Sequence, residues 1–298
     1  MNTARDVRLG LRIAAVIGAC GVVTSAQTPP TPIVGAVASY DVQPGDSLVS
    51  LGARWGVDWI ALASENGLRP GAALTPGQAL TIDGRHIAPD SAADGIVINV
   101  PQRMLFVIDR AAVVVAFPIA AGRADWQTPL GTFELETKEI NPTWDVPVSI
   151  QREMANRGVR VLTRVLPGPE NPLGDRWMGL KGAGIGLHGT NVPSSIYRFA
   201  THGCIRLHPD DARALFERVS VGMMVRIIYA AVLVTVMGGH VWIEVHPDPY
   251  RRAGDLRRAA EARIAALGAT GAVAPQLVSR CLAKPSGRPC DVSHAGGR

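Results

Sequence analysis

The stretch GLHGTNVPSSIYRFATHGCIRLHPDD, residues 186–211, gathers His188, His202, Cys204 and His208 in a chain with four cysteines and seven histidines among 298 residues. Three chemistries compete for such a cluster: a metal cage, a cysteine nucleophile with its base, or a chance grouping in a loop. Zinc takes four ligands, commonly as closely spaced pairs such as C-x-x-C or H-x-x-x-H. The spacing here, H-x13-H-x-C-x3-H, holds no such pair, and His208 stands directly before Pro209 at a helix entry. Neither a metal nor any other cofactor is therefore expected. A thiol attacks as thiolate, so it needs an imidazole to take its proton, and the imidazole needs a group that fixes its tautomer. HGT at 188–190 and THGC at 201–204 carry those parts on two strand ends joined by the loop NVPSSIYRFA. Gly203 lets the backbone bend so that its N–H groups can face a developing oxyanion.

The other cysteines sharpen this reading. The N-terminus carries Arg5, Arg8 and Arg12, an apolar run from Ile13 to Val23, and then Thr24-Ser25-Ala26. That order of charge, short apolar core and small residues predicts a secretory signal over 1–26. The run is shorter than the roughly 20 apolar residues that a membrane span needs. IGAC at 17–20 offers an alternative, lipidation at Cys20, which would anchor the protein to a membrane. In an exported, oxidising setting Cys281 and Cys290, at the ends of CLAKPSGRPC, are the natural disulfide pair. Cys204 is then the odd thiol.

Bulk composition narrows little else. A hydrophobic content of 47% marks a globular chain with ample core, long enough for one large or two unequal domains. The net charge of +5 is mild and the arginines are scattered without interleaved aromatics, so no nucleic-acid partner is expected. A protein working among anionic wall polymers would show the same balance.

Past a Pro-rich spacer at 27–38, residues 39–83 read strand, helix, helix, strand. Asp46 is expected to cap a helix running to Trp55, with Leu48, Leu51 and Trp55 on one face, and Gly56 ends it. Asp58 caps a second helix through Glu65, stopped by Asn66-Gly67. The segment resembles a LysM module at Tyr40, Val42, Gly45-Asp46-Ser47-Leu48, Trp55-Gly56-Val57, Asn66-Gly67-Leu68 and Gly77-Gln78-Ala79-Leu80. The resemblance implies binding to N-acetylglucosamine-containing glycan strands through the loops at 46–48 and 66–77.

A linker of loop composition at 84–94 leads into a β-rich region at 95–229. IVINV, MLFVID and AVVVAFPIAAG are strands, with Pro129 and Gly131 turning into another. HPDDARALFERV reads as a helix capped near Asp210 or Asp211, followed by the strand MMVRIIY. The C-terminal extension at 230–298 reads as a core strand, AAVLVTVM, a charged amphipathic helix, RRAGDLRRAAEARIAALG, and then loop with the disulfide. The expected class is α+β: a small βααβ module, then a β-rich, sandwich-like domain with few helices.

HGTN…THGCIRL, with GRADWQTPLGTFEL, NPTW, PGPENPLG and VGMMVRIIY around it, resembles the catalytic (YkuD-type) domain of L,D-transpeptidases over roughly Gly95 to Tyr229. The resemblance implies Cys204 as nucleophile, His188 as base and acid, and the Gly189 carbonyl as the group orienting His188. It implies that His202 and Gly203 shape the oxyanion pocket, and that Arg206, Thr201 and Tyr197 line the substrate site. Two positions depart from the family pattern: Tyr197 stands where glycine is frequent, and Thr201 replaces the usual serine.

The function so implied is transfer of a peptidoglycan stem peptide through a thioester, with loss of D-Ala from a tetrapeptide whose third residue is diaminopimelate. The resemblance leaves the acceptor open among the diaminopimelate amine of a second stem, a lipoprotein lysine, a free D-amino acid and water. Two alternatives use the same sequence: an L,D-carboxypeptidase with water as acceptor, and a wall-binding protein without catalysis. The expected location is the periplasm or cell wall.

Overall fold

The computed structural model describes residues 32–90 and 93–294. The signal expected at 1–26, Cys20 included, and the start of the spacer lie outside them. Six α-helices stand among a majority of strands in the described residues.

The N-terminal module pairs β1 (Val37–Asp41) antiparallel with β2 (Ala79–Asp83) around α1 (Leu48–Trp55) and α2 (Trp59–Glu65). Leu48, Leu51, Val57, Leu62, Leu80 and Ile82 form its core. Ser47, not Asp46, caps α1: its hydroxyl accepts from the Ser50 N–H in a capping box. Asp46 instead accepts from the Tyr40 hydroxyl and the Gln43 N–H, which closes the preceding turn. Asp58 caps α2 as expected.

Next come β3 (Gly95–Asn99), β4 (Met104–Asp109), β5 (Ala112–Gly122), β6 (Gly131–Ile140), β7 (Arg176–Leu180), β8 (Gly186–His188), β9 (Ile205–Leu207) and β10 (Met224–Ile228). Their order is β5-β9-β8-β7-β6-β10-β3-β4, and β4 pairs back onto β5. The sandwich-like expectation is therefore corrected: the sheet closes on itself as a barrel. Alternation along each strand predicts which residues face inward. It does not say whether the last strand meets the first.

Ile96, Ile98, Leu105, Val107, Ile119, Leu135, Met178, Leu187 and Ile205 fill the interior, against Leu215 and Phe216 of the helix that follows β9. The opposite face of β3 and β4 is buried too. Val97, Met104, Phe106 and Ile108 pack against Ala88 and Tyr197.

Ala88 belongs to the linker of loop composition at 84–94, whose residues 86–88 the structure packs tightly against their neighbours. Ile33–Val34 of the spacer pairs with His86–Ile87 of the linker, and His86, Ile87 and Ala88 are all but inaccessible. The buried carboxylate of Glu244 is the anchor. It accepts from His86 Nδ1 and His246 Nε2 at 2.8 Å, from Gln102 Nε2 at 3.0 Å and from the Ile87 N–H. His86 Nε2 also donates to the Gly56 carbonyl, the C-cap of α1, at 2.9 Å. With Ala53 packed on Ala120 and Ile196, this docks the LysM module on the barrel.

The C-terminal extension is a third packed unit. β11 (Val232–Met237), β12 (His240–Val245) and β13 (Pro289–Asp291) form an antiparallel sheet. Two helices, Leu256–Ala266 and Pro275–Ala283, cover it. The second of these helices and β13 lie where loop was expected. Proline at its first turn is compatible with a helix start, and Cys281 and Val278 bury its inner face. Cys281 and Cys290 are bonded, and Cys204 is the free thiol among the described residues.

Candidate active site

β8 and β9 are parallel neighbours, with Leu187 opposite Ile205 and His188 opposite Arg206. His188 thus stands at the end of β8, and Cys204 one residue before β9, on adjoining strands. Both line a cavity of about 370 Å³ with Thr201, His202 and Arg206. Its other walls include Trp126, Trp144, Pro147 and Ile150. His208 is elsewhere. It is the N-cap of the helix Pro209–Arg218, which corrects the expected cap at Asp210 or Asp211; those two occupy the first turn. Among the described residues no group of His, Cys, Asp and Glu is placed to hold a metal ion.

His188 is 4% exposed, and its Nδ1 lies 2.7 Å from the Gly189 carbonyl oxygen. A carbonyl can only accept, so Nδ1 carries the proton and Nε2 presents its lone pair. The orientation expected from Gly189 is the one observed. Trp177, opposite His188 on β7, stacks on the imidazole at 5.9 Å between centroids. Burial, then the nearby Arg206 charge, lower the His188 pKa to about 3. Burial also raises the Cys204 thiol above its ordinary value, against an opposing pull from a Gly186 backbone contact and Arg206. The resting pair is a neutral thiol and a neutral imidazole.

The turn before Cys204 is held by Thr201. Its hydroxyl donates to the Cys204 carbonyl at 2.6 Å and accepts from the Gly203 N–H at 3.2 Å. Thr201 thus lines the cavity while its hydroxyl is engaged in the turn. The Gly203 N–H, engaged by Thr201, leaves the Cys204 N–H as the turn's candidate donor. Gly203 has φ of 106°, a backbone that favours glycine.

His202 reaches across the mouth of the cavity. Its Nε2 pairs with Glu153 Oε2 at 2.5 Å and its ring meets Trp126 edge-on at 5.0 Å. Glu153 lies on α3 (Val148–Asn156), in a segment that also supplies Trp144, Pro147 and Ile150 to the cavity wall. Hydrogen bonding to His202 holds the Glu153 carboxyl below the usual carboxylate range. Arg206 donates from Nη1 to Ser195 Oγ at 3.0 Å, while its buried Nε has no partner among the described residues. Tyr197 is not at the cavity. It is 5% exposed, under the Arg103 guanidinium at 4.2 Å, in the core between barrel and linker. The expectation that it lines the substrate site is corrected: its φ of 60° turns the chain and aims the ring away.

Sequence reasoning missed Trp126, Glu153 and Trp177. Trp126 and Trp177 stand in GRADWQTPLGTFEL and DRWMGL and carried a usable signal as aromatics beside glycine turns. Glu153 carried none.

A free thiol and an imidazole of fixed tautomer thus share one cavity at the ends of adjoining barrel strands. The family description "L,D-transpeptidase catalytic domain" matches residues 93–227, and "LysM domain" matches residues 40–83. The probable L,D-transpeptidase ErfK/SrfK of Escherichia coli K12 is 38% identical over 59% of this chain and 57% of its own length. The probable L,D-transpeptidase ErfK/SrfK of Salmonella typhimurium LT2 is 34% identical over 74% of this chain and 71% of its own. The probable L,D-transpeptidase YcfS of Escherichia coli K12 is 32% identical over 68% and 65%. The chain belongs to the L,D-transpeptidase family. Its match spans little more than half the length of the first of these relatives.

Proposed function

We propose that the protein is an exported L,D-transpeptidase that acts on peptidoglycan stem peptides through a thioester on Cys204. The observation that carries the reading is the shared cavity of Cys204 and His188, with Nδ1 of His188 tied to Gly189 so that Nε2 is free to accept a proton.

Cys204 Sγ attacks the carbonyl carbon between the diaminopimelate L-centre and D-Ala as its proton passes to His188 Nε2. The oxyanion forms against the turn that Thr201 braces. His188 returns the proton to the departing D-Ala nitrogen, the C–N bond breaks and the thioester remains. An acceptor amine, from a second stem or a lipoprotein, attacks the thioester carbonyl and gives its proton to His188. The C–S bond then breaks and the thiolate recovers that proton. Arg206 offers its unpaired guanidinium edge to the terminal carboxylate of the donor.

The LysM module holds glycan strands while the cavity works on their stems, which raises local substrate concentration. The Cys281–Cys290 bond supports an oxidising compartment, the periplasm or cell wall. Incubation of the purified chain with soluble disaccharide-tetrapeptide, resolved by mass spectrometry, tests the assignment. Cross-linked dimer is expected. Tripeptide alone would make the protein a carboxypeptidase, and unchanged substrate would overturn catalysis.

A further inference from the structure

The peptide unit between Gly203 and Cys204 is held by a chain of bonds that ends outside the family's catalytic segment. Gly203 O accepts from Thr128 Oγ1 at 3.0 Å. Thr128 Oγ1 itself accepts from the Gly122 N–H at 2.9 Å, so its single proton is committed to Gly203. The Thr128 N–H donates to the Tyr250 hydroxyl at 3.1 Å, and that hydroxyl donates to the Gly122 carbonyl at 2.6 Å. Thr128 is 2% exposed and Tyr250 6% exposed. Every proton in this chain of bonds has one acceptor, so the direction of the network is fixed.

Tyr250 comes from the C-terminal extension, beyond residues 93–227. Tyr229 stacks on it at 5.3 Å, and the Tyr250 N–H donates to the Tyr229 hydroxyl at 3.1 Å. Arg252 Nε adds a second tie to the same loop, through Gln127 Oε1 at 3.0 Å. Gly122 is confined as well. A Cβ there would stand 2.1 Å from the Trp126 carbonyl oxygen and 2.7 Å from the Thr128 nitrogen.

A trans peptide is planar, and its C=O and N–H point in opposite directions. Holding Gly203 O therefore fixes where the N–H of Cys204 points. Gly203, lacking a Cβ, does little by itself to restrain that plane. We infer that Thr128 and Tyr250 are positioning residues through which the C-terminal extension aims the Cys204 N–H at the oxyanion. This rests on the acyl-transfer reading of Cys204.

The test separates attack on a carbonyl from attack on an alkyl halide, because only the first develops an oxyanion. For full-length wild type, Tyr250→Phe, Thr128→Val and Thr128→Ser, two rates are measured. One is kcat and KM on soluble disaccharide-tetrapeptide, and the other is alkylation of Cys204 by iodoacetamide, followed on the Cys204 peptide. Tyr250→Phe should lower kcat about ten-fold and Thr128→Val about a hundred-fold. KM and alkylation should hold, and Thr128→Ser should restore turnover. A parallel fall of turnover and alkylation, or no fall in either, would overturn the inference. If Tyr250→Phe does not fold, the Val and Ser variants at 128 decide the matter by themselves. Wild type that alkylates but does not turn over the tetrapeptide would sink the acyl-transfer reading instead.

Discussion

The protonation state of the resting pair gives the sharpest expectation. His188 is held at about 3 by burial and the Arg206 charge, and Cys204 is raised above its ordinary 9.0 by burial. A thiol raised by burial and an imidazole lowered by burial both resist forming the charged pair at rest. A resting thiolate–imidazolium pair is therefore disfavoured, and the proton moves as the carbon–sulfur bond forms. Near neutral pH Cys204 is therefore mostly thiol. The assay is alkylation of Cys204 by iodoacetamide from pH 5 to pH 10, read on the Cys204 peptide. The sign follows from the raised thiol pKa: the rate should climb about tenfold per pH unit and show no plateau below about pH 9. A plateau with a midpoint below about 7 would mean a thiolate stabilised by charged His188, as in low-pKa catalytic cysteines, and would refute the reasoning.

Three further outcomes follow from other parts of the molecule. Glu244→Gln should destabilise the protein by about 3–5 kcal/mol in urea unfolding, because it strips a buried charge partner from His86. Burial pushes the Glu244 carboxyl up, but His86 and His246 outweigh burial and hold it at about 2 against an ordinary 4.5. Its contribution is accordingly full above pH 4.5 and lost as pH falls toward 2, so a Gln variant as stable as wild type at pH 7 would contradict the docking role. Glu153→Gln should lower kcat/KM about three- to ten-fold at pH 7, where the carboxylate is ionised and paired with His202; unchanged kinetics would remove α3 from the site. Deleting residues 27–84 should weaken sedimentation with insoluble peptidoglycan and lower Tm by at least about 4 °C, since it takes the Gly56 carbonyl from His86 and uncovers Ala120 and Ile196. An unchanged Tm would return the module to a loose tether.

What could be read from the sequence divides along a physical line. Cys204, His188 and Gly189 were legible because their chemistry is local: the carbonyl that orients His188 belongs to the next residue. The LysM helices were legible because caps and glycine stops are written in adjacent positions. Barrel closure was not, since alternation marks faces and not partners. α3 was hidden because it buries no residue and has no side-chain cap. The anchor at Glu244 joins residues 158 apart, a distance that no periodicity spans. Tyr197 was misplaced for a related reason. It sits two residues past Ser195, which does reach Arg206, but its left-handed backbone turns it to the opposite side.

The measurement that bears most directly on the central claim is intact-protein mass spectrometry of the chain mixed with disaccharide-tetrapeptide and quenched early. Wild type should gain the mass of the disaccharide-tripeptide acyl group, located on Cys204, with D-Ala released, and Cys204→Ser should gain nothing. An adduct on another residue, or equal acylation of the serine variant at the wild-type rate, would contradict a cysteinyl thioester at this site.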